Sequence, residues 1–380
     1  MQFELSDIHL EDQQKAREFA EKEVVPMADK YDKLQKFPMD TVMKMGKEGF
    51  LGIPFPKKYG GMERDYISYA IIVEEISRKC GSMGITVAAH NSLCSNHIYQ
   101  AGSEEQKEKY LTRLASGQCL GAWGLTEPNA GSDPANMATT AVKDGDEWVL
   151  NGTKLFITHG KEAEIFVVLA STDKSLGSRG VTGFVIEKGT EGFGPGGKEN
   201  KLGLRASDTS ELILENCHLP DSNRLGDINK GFYDTMKTLD GGRVSIGALG
   251  LGIAQGILDE FQRYVKDRAE KEPRYAKQQH VQWALADMAT RTEAARLLIY
   301  QAGYRKSAGL PVSKESSMGK MYSSEVATAN GVLAMKIMGK YGYDRRYGVE
   351  RLARDAKLCE IGEGTSEIQR LVISRQLGLK

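Results

Sequence analysis

Glu363 stands between two glycines in the stretch CEIGEGTSEIQR, residues 359–370. Glycine on either side leaves the backbone free to carry a carboxylate close to another group. Two readings are open: an acid on a solvated loop, or a base that reaches into a pocket built by the rest of the chain. A second stretch, WGLTEPNAGSDP at 123–134, joins hydroxyls (Thr126, Ser132) and acids (Glu127, Asp133) to the turn formers Pro128, Asn129 and Gly131. Such a loop binds a polar ring edge or a phosphate oxygen through N–H and O–H donors, or is simply a turn. In LFITHG, residues 155–160, Phe156 and Thr158 share one face of a strand. They offer a ring to stack on and a hydroxyl to bond with, core packing being the alternative for Phe156.

Other chemistries find little to work with. The five cysteines (Cys80, Cys94, Cys119, Cys217, Cys359) are scattered and form no CxxC pair, and the six histidines have no metal-ligand spacing. Structural or solvated roles are expected for all of the histidines. Fifty-one basic residues balance fifty-one acidic ones, so no overall field attracts nucleic acid or an anionic membrane. The acidic opening MQFELSDIHLEDQQKAREF is unlike a signal or transit peptide, and no uninterrupted apolar run reaches spanning length. A cytoplasmic protein without membrane insertion is the expectation.

Taken together, LTEPNAGSD, MKTLDGGR (236–243) and DAKLCEIGEGTSEIQR resemble, in order and separation, the signatures of the acyl-CoA dehydrogenase family of flavoproteins. The resemblance covers essentially the whole chain. It implies FAD as cofactor, a homotetramer, and α,β-dehydrogenation of an acyl-CoA to the 2-enoyl-CoA. Glu363 would take the α-proton, the β-hydrogen would leave as hydride to flavin N5, and electrons would pass to electron-transferring flavoprotein. Trp123, Leu125, Thr126 and Ser132 match flavin-lining positions, Ser132 also lying near the CoA chain. Phe156 and Thr158 match a pair beside the isoalloxazine, where many relatives carry Trp for Phe. Asp240 and Arg243 match substrate-side positions, with a plain ion pair at a helix start as the alternative. Gly364 allows close approach of the substrate carbonyl, and Thr365 and Glu367 match cofactor contacts.

The match also has departures. Arg268 and Gln279 keep the register of a segment that reaches a partner's FAD, but Lys271 and Glu272 replace its usual Phe-Gly. In KIMGKYGY, Lys336 replaces a Gln and Lys340 the second glycine of a Gly-Gly turn. These lysines either neutralise a pyrophosphate or fill the space of the adenosine half. VAAHNSLCSNHIYQAG, 87–102, resembles the acyl-pocket helix of short-chain relatives, which points to a small or cyclic neutral acyl group. Two alternatives share the fold: an enoyl-CoA reductase of an electron-bifurcating complex, and a flavin-free CoA-thioester-binding homologue.

The elements that must position these residues fall into three zones of an α+β chain. Residues 1–118 read as an N-terminal helical domain, with Ser6 as a cap, a break at FPKKYGG (55–61) and a core segment IIVEEISRKCGSMGITVAAH. Residues 119–226 read as a middle antiparallel β domain of short Val-, Ile- and Phe-rich runs, with Asn151-Gly152 as a hairpin turn. Residues 227–380 read as a C-terminal four-helix bundle. There Val281, Leu285, Met288, Thr292, Ala295 and Ile299 line one side of a helix, and Val326, Ala329, Leu333 and Ile337 line another. Segregated rather than alternating strands argue against a parallel Rossmann sheet.

Overall fold

The computed structural model describes residues 4–379. Helix α1 (Asp7–Phe19) starts at the expected cap, the Ser6 hydroxyl accepting from the His9 N–H at 3.4 Å. A wide turn carries it into α2 (Val25–Leu34), followed by α3 (Met39–Lys47). The FPKKYGG break is a single tight turn, Lys57–Tyr59, closed by Gly60 at φ +82°. Helices α4 (Tyr66–Lys79) and α5 (Gly81–Ala89) are largely buried: α5 carries apolar or small residues all round, and α4 buries Glu74 and Glu75 by pairing them with Arg296 and Arg17. The wide turn His90–Ser95 then leads to α6 (Asn96–Ala101) and the short α7 (Glu104–Gln106) and α8 (Thr112–Ala115).

The middle region is one sheet of β1 (Gly121–Gly124), β2 (Thr140–Asp144), β3 (Glu147–Thr158), β4 (Ile165–Ser171), β5 (Val181–Glu187), β6 (Phe193–Lys198), β7 (Thr209–Pro220) and β8 (Arg224–Leu225). Its order is β6-β7-β3-β2-β4-β5-β8, with β1 beside β4. Most ladders are antiparallel, but β1 runs parallel to β4, and β2 meets β4 through one parallel pair. The long connection from β1 to β4 contains the β2–β3 hairpin and returns the chain to the same end of the sheet, which a parallel neighbour requires.

Asn151-Gly152 is not the hairpin turn that its sequence suggests. Both residues lie inside β3. The turn is at Gly145-Asp146, with Gly145 at φ +57° between the paired Asp144 and Glu147. Asn151 faces an extra residue in β7, where Asn216 adopts φ +49° and donates its N–H to Asn151 Oδ1 at 2.8 Å. Gly152 is needed for another reason: a Cβ there would strike the Thr139 side chain.

Helix α9 (Gly231–Lys271) follows, then α10 (Gln279–Ser307), α11 (Ser313–Met338), α12 (Val349–Cys359) and α13 (Ser366–Gln376). α9 has the length and composition of a membrane span, yet 83% of that apolar window is buried by neighbouring helices. The expected stripe of α10 is buried at Val281, Met288, Thr292, Ala295 and Ile299. On α11 Val326 of the expected stripe is buried and Leu333 and Ile337 are half-buried against the core, but the most deeply buried line lies beside it. That line runs through Ser323, Ala327, Asn330, Ala334 and Met338, while Ala329 is exposed, because small and polar residues there pack against α9 and α10. All five cysteines are buried and unbridged, and burial pushes every thiol above its usual range.

Candidate active site

Glu363 lies in the turn between α12 and α13 at φ +55°, followed by Gly364 at φ +92°. Two successive left-handed residues, the first not glycine, need support from their surroundings. Lys320 Nζ supplies some of it by donating to the Gly364 carbonyl at 2.6 Å. Gln369 Nε2 donates to the same oxygen at 2.9 Å and to the Glu363 carbonyl at 3.3 Å. The acid that sequence left without local restraint is therefore held by two side chains. Thr365 caps α13 by accepting from the Ile368 N–H at 3.3 Å, and Glu367 is exposed in its first turn.

The carboxylate points at α9. Part of the residue is accessible, but both carboxylate oxygens are buried and make no hydrogen bond among the described residues. Burial pushes the carboxyl up to about 7, against the opposing charges of Lys320 and Arg243. A Cβ on Gly242 would collide with Glu363 Oε2, so this glycine makes room for the acid. One residue on, Arg243 donates to Asp240 Oδ1 at 2.5 Å, and Asp240 Oδ2 accepts from Ser313 Oγ at 2.6 Å. Arg243 Nε is buried without a partner. Around Gly241 gather Tyr66 Oη, Lys306 Cε and Asn96 Nδ2, the last buried without a partner. Thus Glu363, Gly364, Asp240 and Arg243 come together, joined by Lys320, Gln369, Gly242, Tyr66, Asn96 and Lys306, which sequence reading passed over. Lys320 did leave a signal, as a lysine on the small-residue face of α11 between Ser316 and Ser324.

A second group forms on the sheet. Trp123 is buried in β1, its indole N–H donating to His97 Nδ1 at 3.0 Å. After it, the chain of Leu125 and Thr126 is clamped from beneath. Lys154 Nζ, wholly buried, lies 2.6 Å from Glu127 Oε1 and donates to the Leu125 carbonyl at 3.3 Å. Glu127 also accepts the N–H groups of Ala138 and Thr139. Burial works against the Glu127 charge, but Lys154 and these donors outweigh it and hold the carboxylate below its usual range. Burial draws Lys154 down to about 8. Ser132 lies exposed on the loop beyond.

Opposite this loop, β3 carries one extra residue between Lys154 and Ile157 relative to β7. Such a bulge re-aims side chains. Lys154 and Ile157 turn inward, while Phe156, at φ +57°, stands 61% exposed. Core packing is thereby excluded for Phe156. The Leu155 N–H donates to the Thr126 carbonyl at 2.8 Å, which joins loop and bulge. A strained, exposed aromatic beside the hydroxyl residues Thr126 and Thr158 fits a planar ring with polar edges, as a flavin has.

The remaining predicted residues are elsewhere. Arg268 is about 38 Å along α9 from Arg243, at 1.5 Å for each residue from 243 to 268. It packs against Tyr275 and Tyr341, with its guanidinium 5.5 and 5.8 Å from their ring centres. This contact brings the two atypical segments side by side. Lys271, Gln279, Lys336 and Lys340 are all exposed and fill no cavity of this chain.

Three family models match in order: acyl-CoA dehydrogenase N-terminal domain at residues 6–118, middle domain at 122–217 and C-terminal domain at 229–378. The chain is 49% identical to the short-chain specific acyl-CoA dehydrogenase of Clostridium acetobutylicum, over 96% of each. Butyryl-CoA dehydrogenase from Megasphaera elsdenii superposes with a TM-score of 0.97 at 41% identity, covering 99% of this chain and all of that one. A chain solved in work on the electron-transferring flavoprotein of Acidaminococcus fermentans and flavin-based electron bifurcation superposes with a TM-score of 0.98 at 45% identity, each covered in full. The chain belongs to the acyl-CoA dehydrogenase family. It is an oxidoreductase and a flavoprotein, and its cofactor is FAD.

Proposed function

We propose that the chain dehydrogenates a short-chain or cyclic neutral acyl-CoA to the 2-enoyl-CoA, with Glu363 as the base. The observation that carries this is a carboxylate with two buried, unpartnered oxygens and a pKa pushed up to about 7. A desolvated acid near neutrality is strong enough to take a thioester α-proton and is still ionised in part. Glu363 Oε receives that proton, and Gly242 leaves it the space to do so. The N–H groups beside the base polarise the thioester carbonyl, a role served by the left-handed turn that Lys320 and Gln369 hold. Asp240 and Arg243 orient the substrate at the helix start, and Ser132 contacts the CoA chain.

FAD, when bound, supplies the acceptor for the β-hydride. On this chain Trp123, Leu125, Thr126, Ser132, Phe156 and Thr158 line its ring, with Thr365 and Glu367 as further contacts. Arg268, Gln279, Lys336 and Lys340 serve a neighbouring subunit's cofactor, Arg268 standing about 38 Å along α9 from Arg243. The assembly is a homotetramer. Support comes from Trp283, Leu297 and Tyr304, exposed at multiples of seven residues on α10 and so forming one apolar stripe. Electron-transferring flavoprotein takes up the electrons.

The test is the flavin spectrum of the purified protein on anaerobic addition of butyryl-CoA. Bleaching is expected in the unaltered chain, and its rate is expected to fall about 10²–10⁴-fold in Glu363→Gln. Full activity in that variant would remove Glu363 from its role. The match to a chain from the bifurcation work favours a second reading, an enoyl-CoA reductase running the reaction in reverse. An associated electron-transferring flavoprotein that oxidises NADH and reduces ferredoxin would select it.

A further inference from the structure

Among the described residues two lysines are wholly buried, and they are treated differently. Lys154 has a carboxylate at 2.6 Å. Lys320 has none within bonding reach among the described residues, its ammonium donating only to the Gly364 carbonyl at 2.6 Å. A buried ammonium without a counter-charge is costly, so its surroundings must return something. On α11 it is flanked by Ser316, Ser317, Ser323 and Ser324, all buried, and its backbone lies against Gly247 of α9, where an added Cβ would come 3.3 Å from Lys320 Cα.

Near it is the one acid of the site with both oxygens unbonded, Glu363. The charged and titratable groups facing that acid are Arg243 from α9, Lys320 from α11 and Tyr69 from α4. Arg243 spends its hydrogen bond on Asp240, and Tyr69 donates to the Ala88 carbonyl at 2.6 Å. From the end of α12 and the residue that follows it, Cys359 and Glu360 face Lys320. Two positive charges thus flank the carboxylate without bonding to it.

We infer that Lys320 is a positioning residue for the base: it pins the Gly364 carbonyl of the left-handed turn and lends Glu363 a buried positive charge while leaving both carboxylate oxygens free to react. The inference rests on Glu363 being the base. Lys320 is held down to about 8 by burial, which keeps its charge largely present at neutral pH and makes it sensitive to mild alkali. Removing a positive charge disfavours the ionised carboxylate. The base then needs a higher pH to ionise.

The experiment is the pH profile of flavin reduction in single turnover with butyryl-CoA, in the FAD-loaded enzyme. Lys320→Gln keeps a hydrogen-bond donor and removes the charge; its acid limb should move up by about one pH unit, giving roughly ten-fold slower reduction below the limb and near-normal rates well above it. Lys320→Met should show the same displacement and a lower plateau. Gln369→Leu, which removes the neutral donor to the same carbonyl, should lower the plateau and leave the limb in place. A Lys320→Gln limb that coincides with the unaltered one overturns the proposal. So does a Gln369→Leu limb that moves, which keeps the test decisive if the lysine variants do not fold. Failure of the underlying reading looks different, since Glu363→Gln would then reduce its flavin at the ordinary rate.

Discussion

At Glu363 the chain holds an acid that its fold disfavours. Burial raises the carboxyl from 4.5 to about 7, so the folded state binds the proton more tightly than the unfolded chain does. Below about pH 4.5 both states are protonated and nothing is lost. Between pH 4.5 and 7 the unfolded chain ionises first and stability falls, and above pH 7 the loss is complete at about 3 kcal/mol. Glu363→Gln should therefore raise the melting temperature at pH 8 and barely change it at pH 4, while slowing dehydrogenation about 10²–10⁴-fold; thermal scans at the two pH values check this. Gly242→Ala tests the space beside the acid. Alanine suits a helix better than glycine by about 0.5–1 kcal/mol, so the fold should survive. Because the added methyl must displace the carboxylate, flavin reduction should slow by at least about ten-fold, an amount equivalent to 1.4 kcal/mol.

The elements are where sequence and structure part company. The Ser6 cap and the α10 stripe were legible because each depends on residues a few positions apart. The bulges were not, since an extra residue exists only relative to a partner strand that sequence alone does not place. Asn151-Gly152 has the composition of a turn, and the contact with Thr139 and the bulge at Asn216 put it mid-strand. Glu363, Asp240 and Arg243 could be singled out by type and motif, but Lys320 and Ser313 complete their surroundings from across the chain. The bulge at Phe156 yields a prediction of opposing effects. Phe156→Gly should stabilise the FAD-free protein by about 1 kcal/mol through relief of backbone strain, yet weaken FAD retention through loss of the ring; denaturant titration and flavin release measure the two separately. Beneath the same loop, Glu127→Gln strands the Lys154 ammonium and should cost about 3–5 kcal/mol. The double variant Glu127→Gln/Lys154→Met should recover most of that in the same titration.

Across the whole molecule, α9 links the parts: its first half carries Asp240, Gly242 and Arg243, and its far end carries Arg268 beside the two atypical segments. If both ends contact FAD as proposed, they serve different cofactors, and cofactor binding is tied to assembly. Trp283→Glu, on the exposed stripe of α10, should dissociate the proposed tetramer in sedimentation velocity and lower the FAD content of the separated subunits. Retention of full FAD by monomers would place every needed contact within one chain. The buried thiols bear on how such experiments can be done. The reactive species is the thiolate, and all five native sulfurs are both inaccessible and displaced away from it. A cysteine introduced at exposed Lys340 would accept a maleimide fluorophore while the native five stay silent, giving a single-colour reporter of subunit encounter without first stripping the chain of its own sulfur.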